Sequence, residues 1–130
     1  MQIIHYSKTP LASAPYHIVK CLQKYTTLDV TLINESVSYQ DGRVFPHIQI
    51  LTQETSREQI LSADIIHTHN QLSQSLKEIF SLKPHGNPAF NPKLFCTMHS
   101  SPKMYNWKET IDSSTKSFVI RQPMQIKEYE

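Results

Sequence analysis

Short apolar runs recur along the chain, parted by polar stretches and by one amphipathic segment after another. Ile3-Ile4-His5-Tyr6 opens it as a strand. A loop of small and polar residues follows from Ser7 to Ala14, and Pro15 then suits the first turn of a helix. Ile18, Cys21, Leu22 and Tyr25 recur at i, i+3, i+4 and i+7, which predicts a helix with one face on a sheet. Asp29-Val30-Thr31-Leu32-Ile33 reads as the second strand, so the chain begins with a βαβ unit.

The polar stretch from Asn34 to Pro46 reads as a loop, and His47–Leu51 as a short third strand. Ser56–Leu61 is expected to be a short helix capped by Thr55 or Ser56. Asp64–His69 is a buried strand, and Leu72, Leu76, Ile79 and Phe80 give the next helix its stripe. Three prolines break up residues 83–92. Lys93–Met98 is another buried strand, Tyr105, Trp107 and Ile111 lie on a short helix or turn, and Ser117–Arg121 is the last strand. A helix begins at Gln125. Strands alternating with helices predict an α/β fold: one Rossmann-like domain over residues 1–130, with a doubly wound, mostly parallel sheet.

Composition narrows the chemistry. With 130 residues, 38% of them hydrophobic, the chain is long enough for one stable core. Its net charge is +2 and its lysines are scattered, which argues against a nucleic-acid footprint. Only Gly42 and Gly86 are glycines, so dinucleotide and P-loop phosphate motifs are excluded. Cys21 and Cys96 sit in apolar segments without metal spacing, and both are expected to be buried thiols in a reducing compartment. No apolar run is long enough to span a membrane, and a strand at the amino terminus leaves no room for a signal peptide. The expected location is the cytoplasm, with peripheral contact at the inner membrane face as its closest approach to lipid.

Parallel strands bring their carboxyl ends to one edge, where ligands of open α/β sheets bind. That edge collects Ser7, Lys8 and the rest of the loop to Ala14, with Asn34, His69-Asn70, His99-Ser100-Ser101 and Gln122. Imidazoles, hydroxyls and amides suit a polyhydroxylated or phosphorylated ligand, and the helix start near Ser13 and Ala14 is a natural anion site. His5, within the first strand, reads as structural.

In order and spacing, Ile3–Ser7, the Ala14-Pro15 helix entry, Ala63–Asn70 and Thr97–Ser100 resemble the amino-terminal domain of GT-B-fold glycosyltransferases of the retaining family-4 type. The likeness runs from residue 2 to about residue 122. It implies the acceptor-side half of a metal-independent transferase that needs no cofactor beyond its nucleotide-sugar donor. His99 would contact the donor hexose as the catalytic position. Ser7, Lys8, Ser13, Ala14, His69, Asn70 and Ser100 would line the substrate cleft, with Ser13 and Ala14 facing the donor diphosphate. Ala12-Ser13-Ala14 stands where that family carries glycines, and side chains there restrict backbone approach to a phosphate.

The family's carboxyl-terminal domain holds the donor nucleotide, and this chain stops before one. Transfer to a sugar or glycolipid acceptor is therefore expected to be negligible for the chain alone. Self-association through the exposed interdomain face is a further expectation. A stand-alone carbohydrate- or protein-binding module is the alternative reading. His67 and His69 share a strand face, and a zinc site with His99 is disfavoured because no carboxylate or cysteine accompanies them. In the preferred reading His67 is a hydrogen-bonded core residue and His69 looks into the cleft.

Overall fold

The computed structural model describes residues 1–8, 14–36, 49–50, 54–81, 92–98 and 107–119. Their elements are β1 (Gln2–Ser7), α1 (Ala14–Tyr25), β2 (Asp29–Asn34), β3 (Gln49–Ile50), α2 (Glu54–Ser62), β4 (Ile65–His69), α3 (Gln74–Ser81), β5 (Lys93–Met98), α4 (Trp107–Ser113) and β6 (Lys116–Val119). The six strands form one sheet in the order β3-β2-β1-β4-β5-β6, and every pair is parallel. This is the doubly wound α/β arrangement expected, with β1 and β4 side by side where the strand order reverses.

Alternation along the strands divides the sheet into two faces. Ile4, Tyr6, Ile33, Ile66 and Leu94 pack with Ile60 of α2 and with Leu76 and Ile79 of α3, all in one buried cluster. On the opposite face Val30 and Leu32 pack against Val19 of α1, with Ile3, Tyr16 and Leu22 around them. Each wholly buried aliphatic side chain contributes about 1.5–3 kcal/mol.

Several local expectations are corrected. Cys96 is buried but Cys21 is exposed, and Tyr25 is 72% exposed. The buried side of α1 is set by Pro15 and Val19, one helical step around from the expected stripe. The reason is that the apolar residues of this helix cover a wide arc, and within it β-branched Val19 packs in one cluster with Val30 and Leu32. The second helix begins at Glu54, so Thr55 and Ser56 lie inside it, and its first turn carries a carboxylate favourable to the helix dipole. The third strand is described at Gln49–Ile50, within its expected span, and the last from Lys116, one residue before its expected start, to Val119; the other expected ends of both lie outside the described residues. Residues 83–91, expected as a loop, and the helix expected from Gln125 lie outside the described residues. No helix among the described residues is long and apolar enough to cross a membrane.

Candidate functional site

β1 and β4 leave the switch point in the same direction, and a cavity of about 350 Å³ opens beyond their carboxyl ends. Lys8 and Glu35 line it from the ends of β1 and β2, residues 71–75 from the entry to α3, and Lys77, Glu109 and Thr110 from α3 and α4. Ser73 builds its wall. Its Oγ accepts the backbone N–H of Leu76 at 3.2 Å, the bond that caps α3, and donates to Tyr6 Oη at 3.3 Å. Tyr6 in turn donates to Glu35 Oε1 at 2.6 Å. Burial, reinforced by the neighbouring Glu35 carboxylate, pushes the phenol well above its ordinary range, so Tyr6 stays a protonated donor. On the far wall Thr110 Oγ1 accepts Leu72 N–H at 2.9 Å, and Lys77 pairs with Glu109. The crevice is thus polar, carries both signs of charge, and is held by bonds between four elements.

A second cluster lies on the other face of the sheet. Register sets His5 beside His67, and alternation puts His69 on the same side. The ring centroids are 4.6 Å apart for His5–His67, 5.2 Å for His5–His69 and 4.9 Å for His67–His69. His5 Nδ1 meets His69 Nε2 at 3.0 Å, and His67 Nε2 meets Thr97 Oγ1 at 2.6 Å. Burial, with the neighbouring His67, lowers the His5 pKa from 6.5 to about 3, so its imidazole is neutral at physiological pH. One ligating atom from each of the three lies within 4.8 Å of the others.

The sequence-predicted residues distribute unevenly over these two places. Lys8 is exposed at the rim of the crevice. Ser7 is buried, by alternation on the His5 side of β1, and donates to Asn34 Oδ1 at 2.8 Å, which joins β1 to β2. Ala14 is the first residue of α1 and half-buried. His69 is 1% exposed and bonded to His5, so it does not look into the crevice as expected, whereas His67 is half-buried and hydrogen-bonded to Thr97. The cause is the pleat: His69 falls on the α1 side of the sheet, away from the wall formed by Ser73 and Tyr6. Asn70 is buried with φ 68°, and its N–H donates to Thr97 C=O at 2.9 Å, which turns the chain away from β4. His99, Ser13 and Ser100 lie outside the described residues, as do Gln122 and Tyr105.

Sequence reasoning missed Tyr6, Glu35, Ser73 and Thr110 at the crevice, and His5 in the imidazole cluster. For His5 a signal existed: Ile3-Ile4-His5 and Ile65-Ile66-His67 are the same tripeptide and pair residue for residue.

No family model and no curated protein matches the chain. Among solved structures it is similar to one described as the crystal structure of CapF with the inhibitor 3-isopropenyl-tropolone, at 12% identity and a TM-score of 0.47. That match covers 94% of this chain and 30% of the other. A likeness at this level carries no argument about function.

Proposed function

We propose that the chain is the amino-terminal, acceptor-side domain of a retaining glycosyltransferase of GT-B type, transferring a hexose from a nucleotide sugar to a sugar or glycolipid acceptor. The observation that carries this reading is the crevice at the β1/β4 switch point, mostly polar in its lining, with Lys8 and Gln71 among the residues around it. Hydroxyl, amide and ammonium groups arrayed on a rigid wall suit hydrogen bonding to a polyhydroxylated acceptor. The resemblance of Ala63–Asn70 and Thr97–Ser100 to that family supports the same reading, with His99 at the donor hexose. The donor nucleotide would be held by a second α/β domain, and transfer itself would use no metal.

The test is two titrations of the isolated chain, one with acceptors followed by heteronuclear NMR and one with nucleotide sugars followed by calorimetry. Oligosaccharide or glycolipid-headgroup acceptors are expected to shift the amides of Lys8, Ser73, Gln74 and Thr110. UDP- and GDP-sugars are expected to give little or no heat by calorimetry, and transfer to appear only when a nucleotide-binding domain is supplied. Tight one-to-one binding of a nucleotide sugar to this chain would overturn the division of labour. Carbohydrate that leaves the crevice amides unmoved would overturn the acceptor assignment.

A further inference from the structure

We propose that His5, His67 and His69 form a binding site for one divalent transition-metal ion, on the opposite face of the sheet from the crevice and separate from the proposed transfer chemistry. Three imidazole nitrogen donors on two adjacent strands already converge, with one ligating atom of each within 4.8 Å of the others. Two imidazoles bonded to one tetrahedral ion at about 2.0–2.1 Å have their ligating nitrogens about 3.3 Å apart and their ring centroids about 5 Å apart. His5 Nδ1 and His69 Nε2 stand at 3.0 Å, and the three centroid separations run from 4.6 to 5.2 Å.

His67 completes the set by a tilt. Its ring is nearly parallel to that of His69, at 10°, and a third bond asks the two to incline toward a common point. His67 is half-buried, which gives its ring room to turn and gives the ion a side open to solvent for a fourth ligand. Thr97 Oγ1 holds His67 Nε2 at 2.6 Å, an outer partner of the kind that orients metal-bound imidazoles, so ligation by His67 falls to Nδ1.

The sequence builds the site economically. Because Ile3-Ile4-His5 and Ile65-Ile66-His67 pair in register, two neighbouring strands each deliver an imidazole at the same height, and His69 follows two residues on. The described register neighbours on that face are Leu32, Phe95 and Thr97, none of them charged. Imidazole donors without carboxylates favour zinc, cobalt, nickel or copper over magnesium or calcium.

The experiment titrates chelator-stripped protein with Co²⁺ and follows visible absorption, then displaces the cobalt with Zn²⁺. One Co²⁺ per chain is expected, with the intense band of a tetrahedral site, removed by one equivalent of Zn²⁺. Long-range ¹H–¹⁵N spectra of the unaltered protein are expected to show Zn²⁺ shifting the ring nitrogens of His5, His67 and His69. His67→Ala is expected to weaken Co²⁺ binding by at least about 100-fold with unchanged far-ultraviolet circular dichroism, and Thr97→Val by about 10- to 100-fold. His17→Ala, at an exposed position of α1, should leave it unchanged. Absence of the band, or ring-nitrogen shifts confined to histidines outside the cluster, would overturn the site without any variant needing to fold.

Discussion

Tyr6 and His5 are neighbours in β1, and alternation sends them to opposite faces with opposite electrostatic tasks. Tyr6 donates to the Glu35 carboxylate, a bond to a charged acceptor in a half-buried place. Tyr6→Phe leaves the ring's packing and removes the donor, so a loss of about 1.5–3 kcal/mol is expected from urea unfolding. A loss below measurement error would show that water replaces the phenol at no cost. His5 carries a pH dependence of definite sign. Its folded pKa of about 3 lies below the unfolded 6.5, so the unfolded chain takes up the proton first as pH falls. Stability is whole above pH 6.5 and declines as pH drops from there toward 3, by up to about 1.4 kcal/mol per pH unit from this residue. In chelator, the fall in urea midpoint between pH 7 and 5 should be shallower for His5→Gln than for the unaltered chain. Parallel curves would contradict a neutral, buried His5.

At the scale of the element, the strands were readable and the faces of the helices less so. Ile65-Ile66 behind Asp64 announced β4, and β4 is there at Ile65–His69, because a short β-branched run has few alternatives in a parallel sheet. Periodicity could not choose among the apolar residues of α1, where Val19 rather than Cys21 meets the sheet, since that choice is made by β2 across the contact. Turn chemistry was partly open: Ser73 is a preferred capping residue just before α3, a signal that went unread, whereas nothing local marks Thr110 as its tether to α4. The Thr110 bond makes a sharp prediction. Thr110 is 2% exposed and accepts Leu72 N–H, so Thr110→Val keeps the shape and strands a backbone donor. A cost of about 1–3 kcal/mol is expected in chemical unfolding. Faster amide exchange at Leu72 should accompany it, and an unchanged Leu72 rate would mean the donor finds another partner.

For the whole molecule, alternation of strand and helix sufficed to foresee a doubly wound sheet and a crevice at its carboxyl edge. It did not foresee that the edge has two sides. Strand-end residues counted as one group divide, Lys8 to the crevice rim and His69 to the α1 side, because a single residue of phase decides the face. The crevice therefore depends on fewer groups than the list of strand ends implied, and on one cation in particular. Lys77 is engaged by Glu109, and Glu35 accepts from Tyr6. Among the described residues no carboxylate pairs with Lys8, which is exposed at the cavity rim. Its ammonium stands where an incoming hydroxyl or anion would enter the cavity. Lys8→Ala should weaken binding of a sugar or glycolipid-headgroup acceptor by about tenfold, equivalent to about 1.4 kcal/mol, in a calorimetric titration. Folding stability should move by less than about 0.5 kcal/mol, as for other exposed substitutions. Unchanged acceptor affinity alongside unchanged stability would place the binding surface elsewhere, and with it the acceptor side of the proposed transferase.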